Sequence, residues 1–148
     1  MIAAACDSPA MPDAPKDVVE RFYEFTNRGL DVEEWLDAVV ELADPEVEYV
    51  NPPDALAPGT RRGLEGFRVA FRSVREGFEV VHIEAEKMLV REDRVAVRLK
   101  VRIRGSGSGI EMDPRPWSHL WTIRDSRIVR FEWFRDGDAA LTWLEQHG

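Results

Sequence analysis

Residues Pro116 to Trp143, PWSHLWTIRDSRIVRFEWFRDGDAALTW, constrain what this chain can fold into more than any other stretch. Their spacing predicts two adjacent strands, joined by a tight turn at Arg124-Asp125-Ser126-Arg127 and closed by a short helix. In the first strand Trp117, His119, Trp121 and Ile123 fall on one side, and Ser118, Leu120 and Thr122 on the other. In the second, Val129, Phe131, Trp133 and Arg135 share a face opposite Ile128, Arg130, Glu132 and Phe134. Three of the five tryptophans and two of the seven phenylalanines therefore lie within eighteen residues. A thin edge sheet cannot hide that much aromatic surface, so the pattern predicts a strongly bent sheet that lines a cavity.

The remaining composition narrows the setting. A chain of 148 residues fits one domain with a single core, and 44% hydrophobic with 32% charged residues is the balance of a globular protein. The net charge of −8 argues against a general binder of nucleic acid or anionic membrane, both of which select a basic excess. The single cysteine, Cys6, allows no intrachain disulfide and no cysteine-rich metal site. The start, MIAAACDSPAMPDAP, has neither a basic leading segment nor the apolar run of a secretory signal, and no stretch approaches the length of a membrane span. These features predict a cytoplasmic protein with a disordered leader over residues 1–12 and one domain over 13–148.

From Asp13 the sequence offers a capping residue and a first-turn proline, then Val19, Phe22, Tyr23 and Thr26 at helical spacing, with Gly29 as the stop. A second helix, Val32 to about Leu42, sets Val32, Trp35, Leu36 and Val39 on one face and a solvated row of acids elsewhere. After a turn at Ala43-Asp44-Pro45, the alternation of Glu46 to Asn51 makes a first strand with Val47, Tyr49 and Asn51 on one side. A loop to Arg62 leads into a third helix, Leu64 to about Glu76. A meander of long antiparallel strands follows: Phe78 to Val90, Arg94 to Arg104, about Ile110 to Arg124, and Ile128 to Arg135. In the second of these, Val95, Val97, Leu99, Val101 and Ile103 alternate with a basic row that Glu84 and Glu86 can meet across the sheet, leaving a solvated or subunit-contact outer face.

The helices VVERFYEFTNRGLDVEEWLDAVVEL, the following ADPEVEYVNPP, the SGIEM after the glycine turn, and HLWTIRDSRIVRFEWFRDGDAALTWL resemble the nuclear-transport-factor-2-like (NTF2-like) superfamily, and within it the SnoaL-like branch. The likeness spans nearly the whole chain beyond Pro15. It implies an α+β cone whose curved, mostly antiparallel sheet wraps around N-terminal helices and encloses a conical pocket. It also implies a homodimer formed through the outer sheet. Trp117, His119, Trp121, Phe131 and Trp133 would then point inward with Tyr49 and Asn51, in agreement with the alternation of the strands, and Phe22 and Trp35 would add ligand-binding walls from the helices.

Fold alone does not assign a reaction, because the family holds cyclases, isomerases, epoxide hydrolases, dehydratases and pure binders. Aligned with the ketosteroid isomerases of this fold, the base position falls on Asn51, the tyrosine position on Phe22 and the protonated acid on His119. An amide abstracts no carbon-bound proton and a phenyl ring donates no hydrogen bond, so that isomerisation is not expected. Against limonene-type epoxide hydrolases, Tyr49 and Asn51 match the water-holding pair, but the final-strand acid falls on Trp133. For the single aspartate of SnoaL-type cyclases, Glu111, Asp113 and Asp136 are the positions on offer. What remains for chemistry is His119, titratable near neutral pH, with Tyr49 and Asn51 as polar partners and Arg135 at the rim. Three scattered histidines make no metal set, and no cofactor is implied. The sequence thus predicts a binder of a small, largely hydrophobic organic molecule, with cofactor-independent acid–base chemistry of the isomerase, cyclase or hydrolase type as one form. A non-catalytic binding or protein-interaction module is the other.

Overall fold

The computed structural model of the protein describes residues 14–53, 55, 58–105 and 109–148, with the backbone alone at 77, 78, 81 and 111–115. Its elements in chain order are α1 (Pro15–Asn27), α2 (Val32–Glu41), β1 (Ala43–Asn51), β2 (Gly59–Arg62), α3 (Gly63–Gly77), β3 (Phe78–Arg91), β4 (Arg94–Gly105), β5 (Glu111–Arg124), β6 (Arg127–Phe134) and α4 (Ala139–His147). The six strands form one sheet in the order β2-β1-β6-β5-β4-β3, curved into a half-barrel. Every neighbouring pair is antiparallel except β1 and β6, which run parallel.

Local chemistry sets the helix ends. Pro15 opens α1, where its missing N–H costs nothing, after an Ala14 that makes no side-chain cap. Gly29, at φ +75°, closes the turn after α1 in a conformation glycine tolerates best. Asp31 caps α2 in a reciprocal box: its carboxylate accepts the Glu34 N–H at 2.9 Å while Glu34 accepts the Asp31 N–H at 3.4 Å. Val18, Val19, Phe22 and Tyr23 of α1, with Trp35, Leu36 and Val39 of α2, are buried against the concave side of the sheet. The acids of α2 are indeed on a solvated face, where Glu33 holds Arg72 at 2.8 Å and Asp37 holds Arg68 of α3.

Three features depart from the pattern read in the sequence. The expected turn at Ala43-Asp44-Pro45 is instead the start of β1, with a register shift between Ala43 and Glu48 that spares Pro45 a ladder bond it cannot donate. The expected loop before α3 contains β2, a short edge strand pairing Gly59 to Arg62 with Glu48 to Asn51. Lastly, a bulge in β6 sets Thr122 opposite Arg130 but Ile123 opposite Ile128. Val129 is the extra residue, so Ile128 rather than Val129 enters the core, reversing the assignment made from strict alternation.

Two apolar layers result. Val95, Val97, Leu99, Val101, Trp121, Ile123 and Phe131 face the three N-terminal helices. On the opposite side Ala96 and Leu120 lie beneath Ala140, Leu141 and Leu144 of α4, so part of the outer face expected to meet solvent is covered by the chain's own last helix. The rest carries the predicted cross-strand pair of Arg98 with Glu86 at 3.3 Å, and a further one, Arg104 with Glu79 at 3.7 Å, that the sequence reading did not single out. Among the described residues no helix is long and apolar enough to cross a membrane.

Candidate functional site

A cavity of about 250 Å³ opens between the concave sheet face and α1, α2 and α3. Besides Arg135, seven of the residues anticipated from sequence line it: Phe22, Trp35, Tyr49, Trp117, His119, Phe131 and Trp133. Strand register brings them together, because His119 stands opposite Trp133, Trp121 opposite Phe131, and Tyr49 beside Phe131. Thr26, Phe71, Ser73, Arg75, Val80, Ile83, Val101 and Arg135 also contribute to the wall. Glu111 and Asp113 fall where only the backbone is described.

Two anticipated residues are placed differently. Trp121 is fully buried beneath the wall, its ring 4.9 Å from Phe22 and 4.4 Å from Phe131. Asn51 is turned to Trp133, whose indole N–H it accepts at 2.8 Å, and it makes no bond to His119. Tyr49 is likewise engaged through its ring, against Phe67, Phe71 and Phe131, and burial pushes its phenol up from the ordinary value.

The partner of His119 is Tyr23, whose hydroxyl lies 3.0 Å from Nδ1. Alignment with the isomerases put the tyrosine position on Phe22, but the next residue along the helix supplies the hydroxyl. Trp121 Nε1–H donates to the same oxygen at 3.0 Å. An indole nitrogen can only donate, so it occupies an acceptor site on the phenol oxygen and leaves the phenol proton for Nδ1. His119 must then carry its own proton on Nε2. The imidazole is 7% exposed and ringed by Tyr23, Trp121 and Phe131, and desolvation pulls its pKa from 6.5 down to about 3. It is therefore neutral at physiological pH, and the hydrogen bond it has left to offer is Nε2–H. Burial raises the Tyr23 phenol well above its usual range, which keeps that hydroxyl a donor.

Further bonds hold these groups in position. The Asn27 side-chain amide takes the Ile83 N–H and donates to the Ile83 carbonyl, each at 2.8 Å, pinning the end of α1 to β3. Thr26 Oγ1 donates to the Phe22 carbonyl at 2.9 Å and accepts Trp35 Nε1–H at 3.0 Å, which fixes that indole in the wall. Among the described residues no three histidine, cysteine or carboxylate side chains gather as a metal set.

The model of the family described as the SnoaL-like domain matches residues 19–131. No curated protein matches the sequence. Among solved structures, a candidate SnoaL-like polyketide cyclase from Jannaschia sp. CCS1 superposes with a TM-score of 0.64 at 21% identity, over 81% of this chain and 83% of that one. An NTF2-like protein of unknown function from Burkholderia pseudomallei gives 0.66 at 19% identity, over 86% and 95%. A protein with a ketosteroid isomerase-like fold from Catenulispora acidiphila, in complex with trimethylamine, gives 0.65 at 16% identity, over 88% and 92%. At these identities the likeness establishes the NTF2-like α+β fold.

Proposed function

The chain belongs to the SnoaL-like domain family, whose model spans most of its length, and from that premise we propose that its cavity holds a compact, largely hydrophobic organic molecule with an oxygen acceptor for His119 Nε2–H. The observation that carries this reading is the relay from Trp121 through Tyr23 to His119, which lies behind a largely apolar wall and reaches it at His119. Apolar walls with a few placed polar groups are what small-molecule sites require, and about 250 Å³ lies just below the roughly 300–1,000 Å³ of drug-sized sites, hence a compact ligand.

The relay assigns His119 a donor's role. As a general base it would need a free lone pair, yet Tyr23 fills the one on Nδ1 and a proton occupies Nε2. As a neutral donor it can polarise a carbonyl, and a buried hydrogen bond aimed at developing negative charge is an effective way to stabilise an oxyanion. The reaction class this favours is cofactor-independent enolisation of a ketone or ester, in which His119 Nε2–H bonds the carbonyl oxygen as the α-carbon gives its proton to a water molecule, the electron pair of the broken C–H bond becoming the enolate. A non-catalytic binder is the second reading, favoured by the absence of any aspartate or glutamate from the cavity wall among the described residues.

Tryptophan fluorescence titration with tetralone and with the hydrocarbon tetralin tests the site, since three indoles line it. Tetralone is expected to bind roughly fivefold more tightly, the worth of one neutral hydrogen bond, and His119→Phe to erase that margin. Equal affinities in the wild type would refute the donor role. Deuterium uptake at the ketone's α-carbon above the buffer rate, lost in the variant, marks an enzyme; binding without uptake marks a carrier. The cytoplasmic location and the outer-face homodimer stay part of the proposal; sedimentation at micromolar concentration tests the dimer.

A further inference from the structure

Among the described residues, the only charged side chains in the cavity wall are two arginines, Arg75 at the end of α3 and Arg135 just beyond β6. Each lies on an indole of the same wall: the Arg75 guanidinium is 4.8 Å from the Trp35 ring and that of Arg135 is 5.6 Å from the Trp133 ring. Both indoles are themselves tied down, Trp35 through Thr26 and Trp133 through Asn51. A guanidinium carbon held over a ring face still carries N–H groups that can donate to a carboxylate, and Arg75 is the one placed to do so from within the wall.

Arg75 carries the argument further. It is half-buried, and burial lowers its affinity for its proton. Among the described residues no carboxylate comes within ion-pairing distance of it. Glu79, which acts on it from farther away, is paired at 3.7 Å with Arg104 instead. A partly desolvated cation without an adjacent anion is costly, and an anionic ligand would relieve that cost. The alternative is that Arg75 only complements the carbonyl end of α3. That role explains neither its place in the wall nor the second stacked arginine.

Resting on the reading of the cavity as a small-molecule site, we propose that the ligand is an amphipathic monoanion, an aryl or alicyclic carboxylate whose charged end is received by Arg75 and Arg135 and whose body fills the aromatic interior. With a net charge of −8 the molecule as a whole repels anions, so these two guanidinium groups must supply the attraction locally.

The test is fluorescence titration at low salt and neutral pH with hydrocinnamate and its uncharged counterpart hydrocinnamide. Hydrocinnamate is expected to bind about tenfold more tightly. Arg75→Gln and Arg135→Gln should each shrink that ratio while leaving hydrocinnamide affinity within twofold, and Arg75→Lys should keep part of it. Because Arg135 is exposed, its variant provides a reading even if Arg75→Gln folds poorly. Equal affinities for the two probes, or a ratio untouched by both glutamine variants, would overturn the anion assignment and leave the apolar cavity standing. Failure of both probes to bind at millimolar concentration would overturn the anion assignment together with the small-molecule reading.

Discussion

At the scale of single residues, the phenol of Tyr23 has the most consequence because it satisfies two buried groups at once. Tyr23→Phe preserves the ring's edge contact with Phe22 but strands both the Trp121 N–H and His119 Nδ1. Each unsatisfied buried group costs about 1–3 kcal/mol, so the variant should lose roughly 2–6 kcal/mol in urea unfolding. Tyr49→Phe, at a residue held by ring contacts, should lose much less. Long-range proton–nitrogen NMR should show wild-type His119 protonated at Nε2 alone and the Tyr23→Phe ring as a tautomer mixture. A loss no larger than that of Tyr49→Phe, or an unchanged tautomer, would mean the relay does not set the imidazole. The part of the site that sequence could show is the part governed by strand alternation: Trp117, His119, Phe131 and Trp133 share a face because period two leaves them no choice. Tyr23 and His119 are 96 residues apart, and helical periodicity tells which face of α1 is buried but not which of its side chains meets which strand. The same limit hid Arg75 and Thr26, whose helices show their spacing and not their neighbours.

At the scale of elements, α4 depends on a serine that is not part of it. Its N-cap residue Asp138 makes no side-chain cap, and Ser118 of β5 substitutes: Oγ accepts the Ala140 N–H at 3.1 Å and donates to the Asp136 carbonyl at 2.6 Å. Arg98 adds a bond to Asp138 at 2.5 Å, and Gly137 is needed where a side chain's first carbon would come within 2.6 Å of Pro116. Ser118→Ala should cost about 1–2 kcal/mol, the usual value of a helix cap, and should speed amide exchange selectively in α4. Arg98→Ala, removing its exposed pairs with Asp138 and Glu86, should cost about 1 kcal/mol or less. If the two variants are equally mild, α4 is held by Leu141 and Leu144 alone. Sequence reading found the helix and the four long strands because their apolar periods are strong. It missed β2, whose Gly-Thr-Arg-Arg has no period, and the Val129 bulge, which is a property of how β5 and β6 pair rather than of either strand's own spacing. It left the outer face open because periodicity in β5 shows two apolar-capable sides without saying that α4 folds back over one of them.

At the scale of the whole molecule, packing an imidazole among aromatic rings forces an ionisable group to fold uncharged, and this ties stability to pH. His119 has a native pKa of about 3 against 6.5 when free, so between those values the unfolded chain binds a proton that the native one refuses. Stability from this group is therefore complete above about pH 6.5, declines as pH falls, and declines no further below about pH 3. From pH 7 to pH 5 the loss is roughly 2 kcal/mol, a large share of a typical domain's reserve. The window separates it from Asp31, whose pKa is lowered by hydrogen bonds from Glu34, so that its contribution survives through mild acid and is lost only below the ordinary carboxylate range. His119→Gln removes the titrating ring, and whatever its stability at neutral pH, it should lose about 2 kcal/mol less than wild type between pH 7 and pH 5 in parallel urea titrations. Identical pH slopes would show that the imidazole is hydrated in the native protein. A hydrated imidazole could exchange its Nε2 proton with water as readily as offer it to a ligand, so the same measurement bears on whether the cavity is dry enough for a neutral hydrogen bond to discriminate between a ketone and a hydrocarbon.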